Sequence, residues 1–72
     1  MNKVELSSEP VELYKILKFE GMVGSGGEAK TVIDRGMVKV NGEVETRRRK
    51  KMMSGDVVEF NGEQVSLVLA PQ

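Results

Sequence analysis

The residues best suited to chemistry in this sequence are five consecutive cations, Arg47-Arg48-Arg49-Lys50-Lys51, which we call the basic segment. Guanidinium and ammonium groups bind phosphate oxygens, so such a run is typical of a nucleic-acid patch, while a solvated surface loop can have the same composition. In an extended chain alternate side chains point to opposite sides, so two or three of the five would face one partner.

The charges are segregated along the chain, although its net charge is zero. Residues 1–29 contain three lysines and five glutamates, residues 30–51 contain eight basic and three acidic residues, and residues 52–72 contain three acids and no base. Asymmetry of this kind indicates a local positive electrostatic potential, which the zero net charge does not reveal. The positive middle third therefore favours a polyanionic partner.

Side chains suited to catalysis or metal binding are scarce. The sequence has no histidine and no cysteine, so it lacks the commonest general base, the commonest transition-metal ligand and any disulfide. No clustered acidic loop indicates calcium or magnesium. We therefore expect no enzyme, no metal and no cofactor. No apolar run reaches the ~18 residues of a membrane span and no signal peptide opens the chain, so we expect a cytoplasmic protein without membrane contact.

A first helix is predicted over residues 11–19. The preceding Ser7-Ser8-Glu9-Pro10 is a start signal, because proline fits the first turn and serine or glutamate can cap it. Helical spacing of the apolar residues also puts Tyr14 and Phe19 near the core. We therefore expect the sheet to lack an exposed aromatic pair for stacking bases. The apolar stripe itself comprises Leu13, Ile16 and Leu17.

A second helix is predicted to start at Ser25, which forms a Ser-x-x-Glu capping box with Glu28. Its apolar stripe runs from Ala29 to Gly36. Helix N-termini favour anions, so a phosphate could bind near Gly26 with Lys30 one turn on. Taken alone, these residues favour a simple cap and tight turn over a phosphate site.

After Gly36 the apolar period changes from 3.6 to 2, which predicts strands. Two Asn-Gly pairs indicate type I′ hairpin turns. In these strands Lys39 should point outward and Val44 inward. Asn41 is explained by turn chemistry. Met52 and Met53 are expected in the core. The predicted strands are Lys3–Leu6, Val38–Val40, Glu43–Thr46, Val57–Phe60 and Glu63–Leu69, and we expect the last to lie at an edge and to pair with the first.

These elements predict an α+β fold, with a two-helix hairpin packed on one face of a small, mainly antiparallel sheet of four to five strands. A chain of this length allows one domain, residues 1–72.

Three segments in order resemble a known family. They are Ser25-Gly26-Gly27-Glu28-Ala29-Lys30, Val38-Lys39-Val40-Asn41-Gly42 and Gly55-Asp56, and together they are similar to the S-four (S4) RNA-binding domain, named for ribosomal small-subunit protein four. The resemblance covers residues 11–60 and implies the same two-helix fold. It also implies binding of structured RNA, commonly ribosomal or transfer RNA. Lacking a catalytic partner domain, the chain resembles the short stand-alone bacterial members, which suggests a role in translation or on the ribosome.

The resemblance implies which residues meet RNA. They are Ser25, Gly26, Lys30, Lys39 and Asn41, with Arg47, Arg48, Arg49, Lys50 and Lys51 adding charge. Many family members have an arginine where Gly26 stands, and our hypothesis is that the basic segment compensates for it. Two functions stay open: a non-catalytic module that recognises RNA by charge and shape, and a protein-interaction module that docks an acidic partner or a ribosomal protein through the same basic face. DNA is a third possible partner.

Overall fold

The computed structural model describes residues 2–71. Its helices are α1 (Leu13–Phe19) and α2 (Gly26–Asp34). Its strands are β1 (Asn2–Leu6), β2 (Val11–Glu12), β3 (Val38–Val40), β4 (Glu43–Val44), β5 (Lys51–Met52), β6 (Val57–Phe60) and β7 (Glu63–Leu69). Within the described residues, neither helix is long and apolar enough to cross a membrane.

Five strands form one sheet in the order β1-β7-β6-β3-β4, and β2 and β5 form a separate antiparallel pair. All neighbours in the larger sheet are antiparallel except β1 and β7, which run parallel with Asn2 opposite Val65. The predicted α+β class and the pairing of the first and last strands are thus confirmed. The prediction of an edge position for β7 is wrong, because β7 lies between β1 and β6.

Both Asn-Gly hairpins form where they are predicted. Asn41 and Asn61 have φ values of 52° and 55°, and the glycine after each also has positive φ, as a type I′ turn requires. The β6–β7 hairpin has the predicted bounds, whereas β4 is only two residues long. Val44 is 57% exposed, so its predicted inward orientation is wrong. The reason is the register: Val44 pairs with Lys39, whose side chain points away from the core.

The core lies between the helices and one face of the sheet. Its fully buried side chains include Leu13, Leu17, Ile33, Val38, Met52, Val58 and Leu67. Met52 is in the core as predicted, but Met53 is 49% exposed because it leaves β5 and enters the next turn. Phe19 is 71% exposed, so its predicted place near the core is wrong. Six positions after Leu13, it stands about 120° around the helix from that residue.

The start of α1 also differs from the prediction. Val11 and Glu12 are extended and pair with Met52 and Lys51. The helix therefore begins at Leu13, and Glu12 occupies the N-cap position without a side-chain capping bond. Sequence spacing favours a helix from Val11, but the pairing with a strand about 40 residues away takes these two residues out of it.

Candidate nucleic-acid interface

The first turn of α2 is built around Ser25. The backbone N–H of Glu28 donates to Ser25 Oγ at 3.1 Å, so this half of the capping box is confirmed. The Glu28 carboxylate instead accepts from the N–H of Gly24 at 2.6 Å, one residue before the expected partner. Among the described residues the N–H groups of Gly26 and Gly27 have no acceptor, which leaves them available to an anion.

Lys30 lies one turn further along α2 and faces α1. Its Nζ is 4.9 Å from the centroid of the Tyr14 ring, while Lys15 Nζ is 5.9 Å from the same ring. Such contacts hold an ammonium over an aromatic face without neutralising its charge. Lys30 is therefore a positioned cation at the junction of the two helices.

The main chain of the basic segment caps α1. The N–H of Leu13 donates to Lys50 O at 3.0 Å, and the N–H of Tyr14 donates to Arg48 O at 3.1 Å. These are two of the N–H groups that a helix start leaves without an intrahelical partner. Lys51 then continues into β5 and pairs with Glu12. The basic segment is thus a fixed part of the fold rather than a loose loop.

Three of its five side chains form ion pairs with this chain's own carboxylates. Arg48 Nη2 lies 2.7 Å from Asp34 Oδ2, and Arg49 Nε lies 3.7 Å from Glu12 Oε2. Arg47 donates to both oxygens of Glu45, at 2.9 and 3.1 Å. Within residues 2–71, Lys50 and Lys51 form no ion pair. All three arginines remain at least 47% exposed, so their other N–H groups can meet a partner.

Glu45 is held in its ionised form by Arg47. The side-chain hydrogen bonds from Arg47 and the bond from its backbone N–H lower the pKa of Glu45 from 4.5 to about 2. The same contact raises the pKa of Arg47. This pair, which follows β4, therefore stays fully charged at neutral pH.

Asn41 has a structural task. Its side-chain amide donates to Asp56 Oδ1 at 3.1 Å, and its side-chain oxygen accepts from the N–H of Val57 at 2.9 Å. Both ends of the amide are therefore occupied, and the expectation of turn chemistry agrees with this geometry. Asn41 still lines a groove of about 340 Å³ together with Arg47 and Lys50.

Lys39 lies apart from the helices. Its neighbours on β3 are buried, so its exposed side chain lies on the opposite face of the sheet, beside Val44 and Glu59 on the flanking strands. Of the residues that the family resemblance names, Gly26 and Lys30 lie on α2 and Ser25 caps it. Asn41 lines a groove with part of the basic segment. Contact of any of these residues with RNA stays a prediction.

One row of residues connects the start of α2, Lys30 and the basic segment. Gly26, Lys30 and Asp34 follow at intervals of four, which places them on one side of α2, and Asp34 holds Arg48 at the far end. We call Gly26, Gly27, Lys30, Asp34 and Arg48 the α2 row. It spans about 12 Å of helix.

Sequence reasoning missed Lys18, which lies near this row, and Phe19, the next residue of α1. Lys18 Cδ lies 4.0 Å from the position that a Cβ on Gly26 would take, so a lysine from the neighbouring helix reaches the place where the family often has an arginine. Phe19 beside it is exposed. The helical angle of Phe19 relative to Leu13 was the available signal, whereas the approach of Lys18 depends on how the helices pack.

The fold and these surfaces define a small α+β domain with a positively charged face at its two helices. A family model described as the S4 domain matches residues 4–68, and the chain belongs to this family.

The chain is 50% identical to YbcJ of Escherichia coli K12 over 58 residues. The aligned residues make up 81% of this chain and 83% of YbcJ, and the name of that protein proposes that it binds RNA. It is 38% identical over 61 residues to RlbA of Bacillus subtilis 168, covering 85% and 86% of the two chains, and that name proposes a role in ribosome maturation. The solution structure of E. coli YbcJ, described as revealing an ALFAL motif involved in RNA binding, superposes with a TM-score of 0.72. This match has 46% identity and covers 94% of this chain and 87% of YbcJ.

Proposed function

We propose that this protein is a non-catalytic RNA-binding module that recognises structured RNA by charge and shape. The observation that carries the proposal is the α2 row, where unpaired backbone N–H groups at the helix start, Lys30 on the helix, and Arg48 held at the far end by Asp34 follow one another along one side of α2. Membership of the S4 family and the names of its relatives support the same function. We further propose that residues 1–72 form one such domain.

The geometry favours backbone phosphates over base edges as the groups that the α2 row contacts. Free N–H groups at a helix start and exposed guanidiniums bind phosphate oxygens, and such contacts set register without reading sequence. A-form stems present their phosphates at fixed spacing, so a rigid row of donors selects for shape. We propose a ribosomal or transfer-RNA-like stem-loop as the target, in the cytoplasm and in contact with the ribosome.

Fluorescence anisotropy with a labelled RNA stem-loop tests this proposal. If about four phosphates are neutralised, affinity should fall on the order of 100-fold between about 50 and about 200 mM salt. A Lys30→Gln/Lys50→Gln double variant should bind several-fold more weakly. The matched control is Lys3→Gln, since Lys3 is an exposed cation on β1, away from the helices.

Two further ligands separate RNA binding from the alternatives. A DNA stem-loop of the same sequence lacks the 2′-hydroxyl and the A-form groove, so it should bind more weakly. Polyglutamate should compete poorly. A weak salt dependence, together with tighter binding of the acidic polypeptide than of RNA, would instead identify a protein-interaction module.

A further inference from the structure

Phe19 is the most exposed large apolar side chain in the described part of the chain, at 71%. It is the last residue of α1 and one of three aromatic residues in the protein. A single exposed apolar residue is ordinary. Its surroundings set Phe19 apart, because it borders two hollows, the larger lined by three lysines and the smaller by apolar residues with Glu5 and Glu20.

The larger hollow, which we call the Phe19 groove, has a volume of about 550 Å³ and lies between α1 and the chain that leads into β2. Besides Phe19, its apolar lining comes from Pro10, Val11 and Tyr14. On its other side, the ring borders a notch of about 140 Å³ that Leu6 and Ile16 also line. A flat apolar group can therefore lie against the ring without displacing any core side chain.

Three cations line the Phe19 groove, namely Lys15, Lys18 and Lys51. Lys15 precedes Phe19 by four residues and so lies on the same side of α1. Glu12 is the one acid in the lining and pairs with Lys15 at 3.3 Å. Among residues 2–71, neither Lys18 nor Lys51 has a carboxylate partner. The groove therefore combines a free aromatic face with an excess of positive charge.

We infer that the Phe19 groove binds an unpaired nucleotide of the RNA, with the base stacked on the Phe19 ring and its phosphate at Lys18 and Lys51. This inference rests on the proposed function. An aromatic face beside ammonium groups matches the two halves of a nucleotide, and such stacking accepts any base. An acidic peptide would satisfy the lysines but would leave the ring without a partner.

The groove is continuous with the proposed stem-binding surface, because two of its lining lysines also belong to or adjoin that surface. Lys18 lies beside Gly26 at the start of the α2 row. Lys51 belongs to the basic segment. A strand that leaves a stem on the α2 row would pass Lys18 before it reaches the ring. The substrate class is therefore a stem with an adjoining single strand, since bases inside a duplex cannot be stacked on a side chain.

The test compares a blunt RNA hairpin with the same hairpin carrying a short single-stranded extension at its 5′ or 3′ end. One of the extensions should increase the affinity of the wild-type protein. Phe19→Ala should weaken binding of that extended hairpin by about 5- to 150-fold, the range that stacking of one base on an aromatic side chain gives, and should leave the blunt hairpin unaffected.

Two control variants separate stacking from a general loss of apolar surface. Phe19→Trp keeps an aromatic face and should retain the gain from the extension. Met37→Ala removes an exposed apolar side chain that lines neither hollow, and should bind like the wild type. Because Phe19 is exposed, its replacement should leave the thermal unfolding midpoint unchanged, which a melting curve checks.

The outcomes distinguish this inference from the proposed function. If both hairpins bind the wild type equally and Phe19→Ala changes neither, the groove does not hold a nucleotide, while RNA binding stands. If the wild type binds no RNA, the proposed function fails. In NMR spectra the Phe19 ring signals should shift with the extended hairpin and not with the blunt one. Shifts caused by a glutamate-rich peptide but not by the extended RNA would overturn the inference.

Discussion

The side chain of Asn41 donates a hydrogen bond to Asp56 Oδ1 at 3.1 Å, across 15 positions of sequence. The other oxygen of Asp56 accepts from the N–H of Met53 at 2.9 Å, and Asn41 accepts from the N–H of Val57. The Val-x-Val-Asn-Gly segment and the later Gly-Asp pair are therefore one hydrogen-bonded unit, which ties the β3–β4 turn to the turn that enters β6.

This unit predicts a larger cost for Asn41→Ala than for Asn61→Ala. Both asparagines have positive φ, so both substitutions introduce the same backbone strain. Asn41→Ala also removes two side-chain hydrogen bonds, and should destabilise the fold by about 1–2 kcal/mol more than its control. Urea unfolding measures the difference. Equal losses for the two variants would mean that the Asn41 amide contributes nothing to stability.

Ser25→Ala should lower the free energy of unfolding by about 1 kcal/mol, because it removes the acceptor for the N–H of Glu28 at the start of α2. Ser54→Ala is the matched control, since no hydrogen bond of the Ser54 hydroxyl is present within residues 2–71. Thermal or urea denaturation of the two variants gives the comparison. A control that loses as much stability as Ser25→Ala would contradict the capping role.

Local patterns in the sequence predict much of this fold. The β6–β7 hairpin and the cap of α2 are set by neighbouring residues, such as Asn61 with Gly62 and Ser25 with Glu28, so their positions can be deduced without a structure. The errors arise where distant segments meet. Val11 leaves the predicted helix because it pairs with Met52.

The candidate site divides in the same way. The cations of the basic segment are evident in the sequence, but their ion pairs are not, because Asp34 lies 14 residues before its partner Arg48. The approach of Lys18 to Gly26 depends on how α1 packs against α2, which no local pattern encodes. The sequence thus gives the charges of the candidate site, whereas the contacts between those charges are evident only in the structure.

Asp34→Asn should increase RNA affinity by about 2- to 5-fold at low salt. The substitution frees the Arg48 guanidinium from a carboxylate 2.7 Å away that competes with phosphate. The gain in affinity is small because a surface ion pair contributes at most about 1 kcal/mol. It also removes a negative charge from the C-terminal turn of α2, where the helix dipole disfavours one. Anisotropy titrations should show no such gain for Glu63→Gln, which changes an exposed acid on β7. Unchanged or weaker binding by Asp34→Asn would contradict the competition.

The Glu45–Arg47 pair predicts a loss of stability in acid. The pKa of Glu45 is about 2 in the folded chain and 4.5 in the reference state, so the unfolded chain takes up its proton first as pH falls. The pair's contribution is complete above pH 4.5 and is lost as pH falls through about 2. Urea unfolding across this range should show the advantage of the wild type over Glu45→Gln shrinking steadily. A constant difference between the two proteins would show that the pair does not form in solution.

Amide hydrogen exchange can test how firmly the basic segment holds α1. The N–H groups of Leu13 and Tyr14 donate to carbonyls of that segment, whereas among the described residues the N–H of Lys15 has no such acceptor. Leu13 and Tyr14 should therefore exchange more slowly than Lys15 under native conditions. Equally fast exchange at all three positions would mean that the basic segment detaches readily from the helix.

The parallel pairing of β1 with β7 decides where labels can be attached. At one end of this strand pair, Asn2 lies opposite Val65 near the β6–β7 turn. At the other end, the N–H of Ala70 donates to Leu6 O at 2.9 Å. Leu6 directly precedes Ser7, which lines the Phe19 groove. A fluorophore attached at Ala70 would therefore lie close to that groove. A fluorophore attached at Asn2 would lie at the far end of the strand pair, so surface immobilisation should use that end.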